Sequence, residues 1–191
     1  MEKAKKSKKW WWIGGILFVL FVIGVLAPSE ETMAKSKEVQ TSQQAFINAV
    51  TSSMAEYKAS NELKKPAVRN MRRQKIRAAL KEKREVVNWV GTIKEMGSWL
   101  GGEAYIYIQP EGSHFLIITS MGAFGMPETM IPKGSTLYNA VANLKGNKVI
   151  FSGSFMQSDE DFVKDYNLTG EDSMLDPKFV FTFSEIKDYN Q

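Results

Sequence analysis

With 191 residues and a mass of 21.6 kDa, the chain has room for one core-forming domain of ordinary size and an appendage. Apolar residues make up 43% and charged residues 24%, which excludes a wholly disordered or low-complexity chain. The lack of Cys excludes a disulfide framework, a thiolate zinc site, a Cys nucleophile and a lipidated Cys, and a single His excludes a multi-histidine metal site.

The net charge of +4 hides a segregation along the chain. Met1 to Lys9 carries five Lys against Glu2, and Trp10 to Ala27 carries no charge. Pro28 to Tyr57 is −2, with two Lys against four Glu. Lys58 to Arg84 is +9, with eleven basic residues against Glu62 and Glu82. Glu85 to Gln191 is −7, with seven basic and fourteen acidic residues. Everything after the apolar stretch sums to zero, so the pI near 9.1 comes from the N-terminal tail and is no argument for nucleic acid.

Trp10 to Ala27 reads WWWIGGILFVLFVIGVLA, eighteen residues without a charge. A charge in hydrocarbon costs a few kcal/mol, so an ion-free run of this length is a membrane signal. As a helix it would be about 27 Å long, close to one bilayer core, and Pro28 would stop it. The expected membrane-interface residues are Lys8, Lys9, Trp10, Trp11 and Trp12, with the Lys cluster held in the cytoplasm and the indoles at the headgroups. The expected location is therefore a single-pass membrane protein, N-terminus cytoplasmic and C-terminal domain periplasmic or extracellular. The rival is a cleaved signal peptide, whose apolar region usually runs about 7–15 residues. Its candidate site, Val25-Leu26-Ala27, is followed by Pro28, a poor residue after a cleaved bond.

Ser29 to Gln44 is polar and reads as a spacer, in part helical. Phe46, Ile47, Val50, Met54 and Tyr57 recur at helical spacing, a narrow apolar face that must lie on something. Pro66 suits the first turn of a further helix running to about Arg84, with Val68, Met71, Ile76, Ala79 and Leu80 inward. Its other faces carry many cations, of which Arg69, Arg72, Arg73 and Lys75 are candidate partner-binding residues. Three readings stand for this basic helix: a solvated face that complements the acidic C-terminal half, a contact with anionic headgroups or an acidic partner, and phosphate binding to nucleic acid.

The C-terminal half reads as strands. Val86 to Ile93 is rich in β-branched residues, with Gly91 marking a bulge or tight bend. Gly97 to Gly102 is a turn. Ala104 to Ile108 alternates, with Tyr105 and Tyr107 on one face and Ile106 and Ile108 on the other. Phe115 to Thr119 is the next strand, and an irregular loop from Met121 to Pro132 carries Met121, Met126 and Met130, flexible side chains suited to an adaptable surface. Ser135 is a plausible N-cap for a helix over 136–145. Lys148 to Phe155 and Phe179 to Phe183 are the last strands, separated by an acidic loop over 158–177. Three strands, a helix and two strands can bury their apolar faces by curling into a barrel, which is the element order of an OB-fold. The expected fold class is α+β: an N-terminal transmembrane helix, a helical linker, then a small five-stranded OB-like β-barrel with one short helix. The expected boundaries are 1–9 for a basic cytoplasmic tail, 10–28 for the transmembrane helix, 29–60 for a polar tether and amphipathic helix, and 61–188 for the basic helix plus barrel.

The segments Asn88 to Ile93, Ile131 to Tyr138, Val149 to Phe155 and Phe179 to Phe183 resemble a group of bacterial envelope proteins of unknown role that carry a tRNA-anticodon-like OB-fold domain. The likeness covers roughly residues 61–188. It implies an OB-fold in the cell envelope, and it implies nucleic acid by analogy of name alone. The −7 of the barrel segment has the wrong sign for a phosphate-binding surface.

No catalytic signature accompanies these elements, and the chain is expected not to be an enzyme and to need no cofactor or metal. His114 begins a strand with no supporting motif, and Ser152-Gly153-Ser154 lies inside a strand pattern rather than on a nucleophile elbow. Asp159, Glu160, Asp161 and Asp165 are dense but do not follow the EF-hand spacing. Tyr105, Tyr107 and Phe115 are the best ligand candidates, since OB-folds commonly bind on strands 2 and 3 with aromatic platforms; the competing reading is that they pack on the basic helix or fill the barrel. The expected function is a single-pass membrane-anchored binding module of the bacterial envelope, presenting an OB-like domain for protein–protein interaction, with self-association or phage exclusion among its roles. The alternative is a membrane-tethered nucleic-acid-binding OB-fold protein. Expected partners are the lipid bilayer and an envelope protein or a second copy, with nucleic acid the alternative.

Overall fold

The structure is a computed structural model and describes residues 30–122, 128–158 and 161–190, with side chains from residue 41 onward. Trp10 to Ala27 and the interface residues Lys8, Lys9, Trp10, Trp11 and Trp12 lie outside the described residues. Among the described residues no helix is long and apolar enough to cross a membrane. By its contacts the chain divides after Lys37, and the fold below is that of Glu38–Gln191.

Among the described residues the elements are, in order, α1 (Glu30–Ala59), α2 (Lys65–Ala79), β1 (Glu85–Ser98), β2 (Ala104–Pro110), β3 (Leu116–Ile118), α3 (Thr136–Ala142), β4 (Lys148–Phe155), α4 (Gly170–Leu175) and β5 (Lys178–Asp188). The strands close a barrel in the order β1-β2-β3-β5-β4. All pairings are antiparallel except β3 with β5, where Ile117 lies beside Phe179. A closed five-stranded barrel with a helix between β3 and β4 is consistent with an OB-like barrel.

The inward residues follow the strand alternation and are nearly all large. Trp89, Ile106, Ile108, Phe115, Ile117, Phe151, Phe155, Phe179 and Phe181 are sealed from solvent. The polar stretch before Phe46 continues into one unbroken helix, and the face predicted to lie on something lies on the barrel. Phe46 is fully buried, with ring centroids 4.9 Å from Phe155, 5.3 Å from Phe179, 5.5 Å from Trp89 and 5.6 Å from Phe115. One turn earlier, the buried Gln43 side chain acts as a short strand partner: its Nε2 donates to the Val90 carbonyl at 2.8 Å and its Oε1 accepts from the Val90 N–H at 2.8 Å.

Two bulges shape β1. Its register with β4 slips between Val86 and Trp89, where Asn88 has φ 54°, and so both Val86 and Trp89 turn inward although three residues apart. Its register with β2 slips between Ile93 and Glu95. Gly91, expected to mark a bulge or bend, sits between the two irregularities and is required for close packing: a Cβ there would lie 2.8 Å from the Gln109 carbonyl oxygen. Gly153 on β4 has the same role, since a Cβ would collide with the Thr182 carbonyl of β5.

Three expectations for the helices are corrected. The basic helix ends at Ala79, five residues early, because Lys81 and Glu82 take left-handed conformations (φ 50° and 63°) that reverse the chain into β1. Its inward row is Val68, Arg72 and Ile76, at i, i+4 and i+8, so Met71 is exposed and Arg72 takes the buried place. Ser135 caps α3 by accepting from the Tyr138 N–H, and the helix stops at Ala142 rather than 145. The acidic segment also forms α4, capped by Thr169, whose Met174 packs on Tyr57 and Val68 as a small second core.

Candidate functional site

The basic helix α2 is occupied within the protein. Arg72 donates from Nη1 to the Ser173 carbonyl, from Nη2 to Ser173 Oγ at 2.9 Å, and meets Asp165 Oδ2 at 3.5 Å. Burial lowers its pKa below the ordinary arginine value, and the Asp165 and Asp161 carboxylates oppose that shift. Arg73 pairs with Asp161 at 3.0 Å and Lys75 with Glu56 at 2.6 Å. Arg69 donates to Tyr57 Oη at 3.1 Å and lies over the Tyr57 ring. Arg77 and, beyond the helix, Arg84 rest on the face of Phe162. A concavity of about 410 Å³ remains between α2 and the 161–173 segment, but Arg69, Arg72 and Arg73 face Asp161 and Asp165 across it, so the charges there largely cancel.

The aromatic candidates separate. Phe115 is fully buried among Phe46 and Phe179, with nothing to present to a ligand; its place as a partner-binding residue is corrected to the core. Tyr105 and Tyr107 project from the outer face of β2, as their alternation with Ile106 and Ile108 requires. Their rings lie 5.6 Å apart and tilted at 52°. They form one wall of a cleft of about 450 Å³; Trp99 from the β1–β2 turn, Tyr166 from the segment before α4 and Glu95 line it with Thr119 to Gly122 and Met130, so two of the loop methionines singled out in the sequence belong to it. Trp99 and Tyr166 are half-exposed, at 50% and 52%. Both rings are therefore accessible at the barrel surface beside the two tyrosines.

Glu95 reaches this face because of the second bulge. Ile93 pairs with Ile108, and the extra residue Lys94 then brings Glu95 opposite Tyr107. Strict alternation from Gly91 and Ile93 would have aimed Glu95 into the barrel; the bulge turns it outward among the tyrosines. Tyr105 Oη donates to Glu95 Oε1 at 3.1 Å. That hydrogen bond, followed by burial and the carboxylate charge, raises the Tyr105 pKa above its usual value. Burial first, then Glu95, raises that of Tyr107. Both phenols therefore stay neutral well into the alkaline range. Gly97, opposite Tyr105 on β1, gives its ring room: a Cβ there would sit 2.8 Å from the phenol.

No cation lines the cleft, and Glu95 has no ion-pair partner among the described residues. His114 is exposed beside the β2–β3 turn. No three acidic or imidazole side chains gather as metal ligands among the described residues, while Asp159 and Glu160 lie outside them. Sequence reasoning missed Glu95, Trp99 and Tyr166. Trp99 carried the one local signal, a large ring inside a Gly-rich turn; the other two depend on a bulge and on a distant loop folding back. No protein-family model matches this chain, and no curated protein or solved structure matches it.

Proposed function

We propose that this chain is a membrane-anchored binding module of a bacterial envelope, whose OB-like barrel offers the Tyr105–Tyr107 cleft to a partner protein. The anchor rests on the uncharged run from Trp10 to Ala27 and the Lys cluster before it, which would leave the barrel outside the cytoplasm. The observation that carries the binding role is the cleft: four partly open aromatic rings around one carboxylate, on the strand face where OB-type barrels commonly bind. A shaped site with a few convergent polar groups is what a recognition surface needs. Anchoring would add affinity by raising local concentration. No catalytic step belongs to this reading.

Protein is favoured over nucleic acid by the charges. Base stacking needs an aromatic platform together with cations that track the phosphates. The platform is here, but it surrounds Glu95, and Arg72, Arg73 and Lys75 are already paired with acidic groups of the same chain. The test is a photoreactive benzoylphenylalanine placed at position 107 of the full-length protein, crosslinked in cells and read by mass spectrometry. Crosslinks to one specific protein or to a second copy support the proposal. Crosslinks to nucleic acid favour the alternative, and none at all would refute a role for this face. Protease added outside intact cells should trim residues 28–191; protection of that region would overturn the orientation.

A further inference from the structure

We infer that the cleft is selective for a cation, and that its occupant is the protonated side chain of a Lys or Arg displayed by the partner protein. The inference rests on the binding role proposed above and names the chemistry of that same site. An aromatic ring presents a negative face, and a cation within about 6 Å of the centroid is attracted to it. Trp99, Tyr105, Tyr107 and Tyr166 supply several such faces around one space. The Glu95 carboxylate lines the same space. Tyr105 occupies one of its oxygens, and Oε2 is left for an incoming donor. Neutral phenols suit this role, because Tyr105 and Tyr107 keep their protons and their hydroxyls can donate or accept.

The charge balance of the site points the same way. Glu95 is the only ionisable carboxylate among the residues lining the cleft, and no Lys, Arg or His lines it with Glu95, so the site lacks a counter-ion among the described residues. An anionic ligand would meet that carboxylate with nothing to offset it. A purely apolar ligand would use the rings and gain nothing from the carboxylate, which stays in contact with water. A cationic side chain on an aliphatic stem satisfies both: the stem lies on the rings and the head reaches the carboxylate. A volume of about 450 Å³ has room for one such side chain and the backbone on either side of it.

The experiment uses the full-length chain in a non-ionic detergent and ligand-detected saturation-transfer NMR. The probes are acetyl-Gly-Gly-Lys-Gly-Gly-amide and the same peptide with Arg, Nε-acetyl-lysine or norleucine at the centre. The Lys and Arg peptides are expected to bind at least about tenfold more tightly than the acetyl-lysine and norleucine peptides. Glu95→Gln should weaken the Lys peptide by about threefold to fivefold and leave the norleucine peptide unchanged. Glu95 is exposed, so this variant is expected to fold, and an unchanged circular dichroism spectrum checks it. Equal binding of Lys and norleucine, or a Lys affinity indifferent to Glu95→Gln, would overturn the inference while leaving a protein-binding cleft in place. A thymidine oligonucleotide that displaces the Lys peptide would overturn it in favour of base stacking. Failure of the position-107 crosslinks, by contrast, would remove the binding role itself.

Discussion

Replacing Phe46 by Ala tests whether α1 is part of the barrel domain. The Phe46 ring is wholly buried and touches four other rings, so the substitution removes a large apolar group from a site that strands and neighbouring rings keep from collapsing. Phe→Ala changes in cores of this kind cost about 3–5 kcal/mol, the loss of transfer energy plus the cavity left behind. A domain of this size is held by only about 5–15 kcal/mol, so the loss is a large share of the total. With a urea m-value of about 2 kcal/mol/M, a loss of about 4 kcal/mol lowers the unfolding midpoint by about 2 M. The assay is equilibrium urea unfolding of the full-length chain followed by circular dichroism, with Phe46→Leu alongside. The Leu variant keeps much of the buried volume and should lose clearly less than the Ala variant. A loss under about 1 kcal/mol for Phe46→Ala would show that the helix merely touches the barrel, and the account of the core would be wrong.

Arg72→Ala leaves the Asp165 carboxylate and the Ser173 carbonyl without their cation and is expected to destabilise by about 3 kcal/mol, whereas the double change Arg72→Met with Asp165→Asn should recover most of it; a single change as mild as an exposed-lysine substitution would contradict the buried pairing. Tyr105 and Tyr107, with folded pKa values above the unfolded one, contribute stability that is fully present below about pH 10 and is lost as pH rises through their folded values. Ultraviolet phenolate titration should show Glu95→Gln moving Tyr105 back toward its ordinary value and Tyr107 less, because burial dominates there; an unchanged titration would remove Glu95 from the site. Gly97→Ala should push the Tyr105 ring aside at a stability cost of about 1 kcal/mol or less, since the obstructing atoms end a flexible side chain, and yet weaken the Lys peptide; unaltered affinity would mean that Tyr105 is not part of the cleft.

How much of this was legible in the sequence depends on whether the signal was local. The strands at Ala104–Pro110 and Lys148–Phe155 were legible because period-two alternation is written in neighbouring residues, and the Ser135 cap because its partner is three residues away. Pro66 likewise placed the start of α2. Its inward row was not legible: Met71 and Arg72 are adjacent, and an isolated helix prefers to bury the thioether. Asp165 and Ser173 reverse that preference by supplying the groups a buried guanidinium needs, and they lie 93 and 101 residues away. Phe115 failed as a ligand candidate for a related reason, since a strand's apolar ring faces in or out only once its neighbours are fixed.

The sequence by itself determined the charge segregation, the ion-free segment at the N-terminus, the five strands and the placement of Tyr105 and Tyr107 on one face of β2, because each follows from composition or from short-range periodicity; which way that face points was not written there. Only the tertiary structure decided that the helix bearing Phe46 seals the barrel and that the basic helix commits Arg72 and Arg73 to the acidic segment and Arg69 and Lys75 to α1. It alone decided that one extra residue at Lys94 swings Glu95 out to face four aromatic rings. These outcomes depend on which distant surfaces meet, and a slip of one residue in strand pairing, too small to leave a mark in the pattern of side chains, inverts what a carboxylate sees.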